Sequence, residues 1–232
     1  MSNRYREVEV RGTSLEMGRQ IGENAREEVR GFAAIALERV NKTVAISRAS
    51  ALAIAHQSAT YVERYAPHML DELRGMAQSS GVSFDDLMLL QVRNQLQRTE
   101  DAGCTSFAGG ASIVAQNWDN DPALDPFTIV LTRRPTGKPA LMNITQAGLI
   151  AYIGLNSAGI GLCLNTLPAP SRPLGVPHYF TVRAIYESTH LDEALDVVRR
   201  AQRAIPANIM LATPQGPADM EIALDDVYLL RD

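Results

Sequence analysis

Arg98-Thr99-Glu100-Asp101-Ala102-Gly103-Cys104-Thr105-Ser106-Phe107 divides the chain into two textures. Before this stretch the sequence reads as helices. After it the sequence reads as strands and turns. Residues 98–102 are polar and serve as a linker. Upstream, Arg6-Glu7-Val8-Glu9-Val10-Arg11 alternates polar and apolar, which predicts a short strand. Thr13-Ser14-Leu15-Glu16 follows as a capping box, in which the Thr13 hydroxyl takes one free helix N–H and Glu16 reaches back to another. Met17, Ile21, Ala25, Val29 and Phe32 then recur at helical spacing, giving one apolar face on a helix that runs to about Val40. Further helices are expected over 50–65, ending before Pro67, and over 68–79, stopping at Gly81. A fourth starts at Ser83 and fades by Gln97.

Downstream, residues 106–108 and 111–118 read as a hairpin, with Gly109-Gly110 supplying the positive φ of its turn. Strands are expected over 127–133 and 140–146, and a pair over 149–154 and 160–165 joined by Asn156-Ser157-Ala158-Gly159. A proline-rich loop (168–177) precedes two helices over 179–187 and 192–204, the second capped by Thr189. A last hairpin pairs 208–213 with 220–230. Helices, many strands, two helices, then strands make an α+β protein with an antiparallel sheet. The expected organisation is a helical segment over 1–103 and a strand-rich core over 104–232.

The 232 residues are 46% hydrophobic and 21% charged with a net charge of −4, which suits a globular protein and excludes the basic footprint of a nucleic-acid binder. No apolar run reaches the length of a membrane span, and the polar N-terminus lacks a signal-peptide core, so the reading is cytoplasmic. Two cysteines, Cys104 and Cys163, argue against a disulfide framework and a cysteine-rich zinc site. His56, His68, His178 and His190 are scattered, and no metal or cofactor is expected. No glycine-rich phosphate loop follows a strand.

Cys104 raises a chemical question. A thiol nucleophile needs a base, and no histidine is nominated by spacing. Cleavage of the Gly103–Cys104 bond would free the Cys104 α-amine, whose pKa of about 7.7–8.0 suits a general base near neutral pH. One residue would then hold nucleophile and base together. Without cleavage, Cys104 reads as a small buried hydrophobe.

Gly103-Cys104-Thr105-Ser106-Phe107, Gln116-Asn117-Trp118-Asp119 and the run from Gly148 to Asn165, with Arg11-Gly12-Thr13-Ser14-Leu15-Glu16-Met17-Gly18 upstream, resemble the acyl-coenzyme A:6-aminopenicillanic acid acyltransferase family. The resemblance implies an N-terminal-nucleophile (Ntn) hydrolase αββα sandwich. It implies self-cleavage between Gly103 and Cys104 into two pieces that stay associated. It implies an amidohydrolase or acyltransferase that works through an acyl-Cys104 intermediate on a small-molecule amide or acyl-CoA. Asp119 would orient the new α-amine; its alternative is a turn aspartate closing a strand. Asn165 would donate to the oxyanion; its alternative is an asparagine capping a strand end. Asn156 reads as a turn residue and Cys163 as core. A homo-oligomer is left open.

Gln116 sides with the acyltransferase branch, because the related choloylglycine hydrolases carry arginine there. Family members continue past the position of Asp232, into a His-Thr-Asn-His type segment. The chain is therefore expected to be C-terminally truncated relative to the family. The competing function is a non-catalytic or split protein that needs a partner chain to complete its fold.

Overall fold

The computed structural model describes residues 4–96, 104–110, 113–167 and 169–231. The linker reading over 98–102 and Gly103 lie outside the described residues.

Strand β1 (Arg6–Gly12) leads into α1 (Ser14–Asn24) through the expected capping box. Thr13 Oγ1 accepts from Glu16 N at 3.3 Å, and Glu16 Oε2 accepts from Thr13 N at 2.8 Å. The single helix expected to Val40 is two: the chain bends at Ala25, and α2 covers Arg26–Val40. All five residues of the apolar stripe are buried. The bend arises because the halves have different partners. α1 lies against α4 (Pro67–Ser80), whereas α2 packs on α5 (Phe84–Leu96) and on a short 3-10 helix at Pro122–Phe127. Gly18 permits the first contact, since a Cβ there would come within 1.9 Å of the Glu72 carbonyl oxygen. Between them, α3 (Arg48–Tyr65) is capped by Ser47. α4 carries proline in its first turn and ends at left-handed Gly81.

Eight strands form one sheet in the order β1-β4-β5-β6-β7-β8-β9-β10. These are β4 (Thr128–Pro135), β5 (Leu141–Gln146), β6 (Ile153–Asn156), β7 (Gly161–Thr166), β8 (Ala207–Thr213), β9 (Gly216–Ile222) and β10 (Val227–Leu230). The sheet is mixed rather than purely antiparallel, because β1 pairs parallel with β4 from Arg6↔Ile129 to Gly12↔Pro135. The helical section thus contributes a strand to the downstream sheet, and both sections share one apolar core. The β2 (Thr105–Gly109) and β3 (Ile113–Asn117) hairpin forms a second sheet packed on β7, β8 and β9.

Three expected boundaries move. Residues 149–152 leave the ladder, so β6 starts at Ile153. Side chains take over their backbone bonds: Gln91 accepts from Ile150 N, and Arg133 and Arg183 donate to the carbonyls of Leu149 and Ile150. The strand expected over 220–230 folds back at Ala223, whose N–H donates to Asp226 O, giving β9 and β10. After α6 (His178–Tyr186), helix α7 is Leu191–Arg200, shorter than expected. Its cap is His190 rather than Thr189; Nδ1 of His190 accepts from Glu193 N at 3.2 Å. The buried Arg203 fixes the reversal after α7 by donating to the carbonyls of Val198 and Ala223.

The layers follow from the alternation along each strand. Leu141, Asn143 and Thr145 of β5 are buried beneath the helices, while Met142 on the opposite face is exposed. On that opposite face sits the hairpin. Its own outer face shows Phe107 and Ile113 to solvent, at 60% and 61% exposure. The described residues therefore make three layers: helices, the eight-stranded sheet and the two-stranded sheet.

A buried ionic cluster ties the helical section to the sheet. Glu72 of α4 accepts from Arg133 of β4 at 2.8 Å and from Arg183 of α6 at 2.9 Å. Arg183 also reaches Glu187, which pairs with His68 and Lys138 nearer the surface. Burial alone would raise the Glu187 carboxyl, but the His68 hydrogen bond and the charges of Arg183, His68 and Lys138 bring it down to about 2.

Candidate active site

Cys104 is half-buried at the head of β2. The hairpin register pairs Thr105 with Asn117 and Ser106 with Gln116, so the next position sets Cys104 opposite Trp118. Alternation puts Cys104 on the face of Ser106, which looks toward the eight-stranded sheet. The Trp118 ring lies 4.9 Å from that of Tyr152, and Tyr152 lies 5.6 Å from Tyr179. Burial, then Tyr179 and the Cys104 thiol, hold the Tyr152 hydroxyl well above its usual range. An aromatic wall thus runs from Cys104 inward.

His178 ends that wall, its ring 3.9 Å from Tyr179. Burial and the neighbouring Arg93 push it down to about 3, so it is uncharged and a weak base at neutral pH. The other histidines are committed elsewhere: His56 to Asp85, His68 to Glu187, and His190 to its helix cap. Among the described residues no group of three or more His, Cys, Asp or Glu side chains could hold a metal.

The other expected site residues fall into different surroundings. Asp119 is exposed, immediately after the inward-turned Trp118, and its carboxylate makes no hydrogen bond among the described residues. Asp121, two residues on, takes the structural turn role by pairing with Arg39 and accepting from Ala123 N at 3.1 Å. Asn165 is the last residue but one of β7, beneath the hairpin. Its Oδ1 accepts from Ser106 Oγ at 2.9 Å, and its Nδ2 donates to Asn208 Oδ1 at 3.4 Å. Asn208 in turn donates to Asp219 at 2.6 Å. Asn165 is therefore joined to the Cys104 face of β2 through Ser106. Asn156 is a buried turn residue, as expected, holding the carbonyls of Tyr186 and Ser188. Cys163 is core, and burial pushes its thiol up to about 11.

Two neighbours take roles that residue order did not assign. Gln116 donates to Leu164 O at 2.7 Å and accepts from Leu164 N at 3.0 Å. Its carboxamide fills the ladder position where β6 no longer pairs with β7. The available signal was a polar residue on the inward register of an otherwise apolar strand. Arg93 is the second: a charged residue three or four positions from Leu89, Leu90 and Leu96 on the buried side of α5. A groove of about 810 Å³ opens beside β3, walled by Val114, Gln116 and Trp118 on one side and Ile153, Leu162 and Cys163 on the other. That volume suits a small molecule.

The fold and site describe an α+β protein with a half-buried thiol at the mouth of an aromatic-walled junction between two sheets. Residues 106–223 match the family described as acyl-coenzyme A:6-aminopenicillanic acid acyl-transferase, and the chain belongs to that family. It is 26% identical over 225 residues to the acyl-coenzyme A:6-aminopenicillanic-acid-acyltransferase 40 kDa form of Emericella nidulans. The match covers 93% of this chain and 63% of that relative, so the chain spans less than two-thirds of the relative's length.

Proposed function

We propose that this chain is an Ntn cysteine amidohydrolase or acyltransferase, activated by its own cleavage between Gly103 and Cys104. The observation that carries the reading is the placement of Cys104 at the head of the hairpin, against an aromatic wall and without a histidine base, in a family of acyltransferases. The substrate class is a small-molecule amide or an acyl-CoA.

In self-cleavage the Cys104 thiol attacks the Gly103 carbonyl carbon. The C–N bond breaks, leaving a thioester and a free Cys104 α-amine. Water then hydrolyses the thioester, releasing the Gly103 carboxylate and restoring the thiol. In turnover the α-amine takes the thiol proton, sulfur attacks the substrate carbonyl, and the leaving group departs with a proton. Water or an amine then accepts the acyl group from Cys104. Asp119, one residue beyond Trp118, would orient the amine. Asn165 would donate its amide to the oxyanion by giving up its long bond to Asn208.

The packing supports two pieces that remain together after cleavage. The β1–β4 ladder, the Glu72 ion pairs and the Gln91 bonds to Gly148 and Ile150 all cross the junction. The exposed outer face of the hairpin, with Phe107 and Ile113, is where the second helical layer of an αββα sandwich would sit.

The intact mass of the purified protein tests the reading. Two pieces meeting at Gly103/Cys104 are expected, and Cys104→Ala should leave a single chain without turnover. A wild-type chain that stays whole after long incubation, with an unmodified Cys104, would sink it.

One observation favours a second reading, a split or non-catalytic protein completed by a partner. Among the described residues the hairpin sheet has two strands, with Ile113 on it at 61% exposure and Leu155 of β6 at 50%. Isolated two-stranded sheets are marginal, and open edges invite another strand. A folded, monodisperse and active chain in sedimentation experiments would eliminate this reading.

A further inference from the structure

Arg93 is a buried cation that the proposed mechanism does not use. It is 6% exposed and sits on the last turn of α5. Its only hydrogen bond among the described residues is a long one, 3.5 Å from Nη2 to the Tyr179 hydroxyl. Nε and Nη1 are buried without any partner among those residues. The guanidinium carbon lies 5.0 Å from the Phe32 ring centroid. No aspartate or glutamate among the described residues pairs with it. The other deeply buried arginines differ. Arg133 and Arg183 share Glu72, and Arg203 is wrapped by backbone carbonyls. A buried charge is retained only where something compensates it.

The surroundings define what would do so. Tyr179 bonds Arg93 and stands 5.6 Å from Tyr152, which stands 4.9 Å from Trp118, the residue facing Cys104 across the hairpin. The unmet donors and the thiol therefore belong to one continuous aromatic cluster. Within it, the Tyr152 hydroxyl stays protonated and His178 is neutral, so neither supplies a counter-charge. A single cation among rings matches a single negative charge on an apolar body. A dianion would leave one charge unmatched in the same low-polarity surroundings.

We propose that Arg93 anchors the carboxylate of the small molecule handled at Cys104, so that the site selects an apolar or aromatic carboxylic acid. This rests on Cys104 being the reactive residue, and it adds the substrate class. Arg93 acts here by binding and selecting, without entering the bond-making step.

Iodoacetate and iodoacetamide test it, because they deliver the same alkyl group to a thiol with and without a carboxylate. Labelling at Cys104 is followed by peptide mass spectrometry, with free cysteine in solution as the reference for the intrinsic ratio of the two reagents. Arg93→Gln should lower the iodoacetate-to-iodoacetamide rate ratio at Cys104 on the order of tenfold, the usual scale for losing one charge-assisted hydrogen bond. Arg93→Lys should keep part of the preference. An unchanged ratio in folded Arg93→Gln overturns the proposal. Calorimetry of the wild-type protein with benzoate and benzamide gives a reading that requires neither a folded variant nor a reactive thiol. Benzoate should bind and benzamide should not; equal binding, or none by either, also overturns it. If Cys104 resists both reagents while benzoate still binds selectively, the nucleophile reading fails and the anion site stands.

Discussion

Glu72 and Arg93 lie at two buried ionic sites, and the two are built in opposite ways. At the first, one carboxylate is held by two arginines from separate elements, and the spare donors reach the carbonyls of Leu149 and Ile150. At the second, a guanidinium rests on an aromatic ring with two nitrogens unmet. The first is a closed joint between the helical section and the sheet. The second is an open valence at the inner end of the aromatic wall that starts at the candidate nucleophile. A satisfied buried charge fixes architecture, whereas an unsatisfied one points toward something the chain does not itself contain.

The contrast can be broken at either site. Glu72→Ala should have the largest effect. It leaves Arg133 without a carboxylate in the core and Arg183 with Glu187 alone, and should cost about 3–5 kcal/mol in urea unfolding, the usual loss when one partner of a buried pair is removed. A loss under about 1 kcal/mol would mean that the joint is not what holds the sections together.

Gln116→Leu comes next. It removes both bonds to the Leu164 backbone and should cost about 1–3 kcal/mol by thermal or chemical unfolding. Its size relative to Glu72→Ala measures how far a neutral closed site matches an ionic one.

Glu187 tests the mouth of the joint through pH. Its folded carboxyl lies at about 2, below the ordinary 4.5. Its contribution is therefore fully present above the ordinary value and is lost as pH falls through the folded one. The melting-temperature gap between wild type and Glu187→Gln should be constant above about pH 5 and close toward pH 2. A gap that widens on acidification would reverse the assignment.

Arg93→Met should have the smallest effect on stability. Removing an uncompensated buried cation while keeping an unbranched apolar stem should change unfolding by about 1 kcal/mol or less, since the lost stacking on Phe32 is offset by the relieved burial of charge. A loss as large as that of Glu72→Ala would erase the distinction between the two sites.

Much of the first site's frame was legible in residue order. The capping box at Thr13 and Glu16, the apolar stripe from Met17 to Phe32 and the stop at Gly81 are local signals, and each has its place in the structure. The bend at Ala25 was not legible, because it depends on α1 and α2 having different partners. The start of β6 was misplaced for a similar reason. Residues 149–152 are as apolar as a strand, but remote side chains hold their backbone groups. Of the candidate site, Cys104 was legible through its setting at the change of texture and through family resemblance. Arg93 was missed, and Ser106 and Gln116 were legible only as members of family motifs, because the roles of all three lie in what they meet across the sheets.

The sequence by itself determined the α+β class, the hairpin after Cys104 and the family, because these rest on periodicity, turn chemistry and short motifs. Only the tertiary structure decided that β1 joins the downstream sheet in parallel. It alone showed that Glu72 closes a charge joint between the halves, and that Arg93 is left with donors unmet. Ion pairing and desolvation depend on groups brought together from distant positions, and spacing along the chain does not encode those distances.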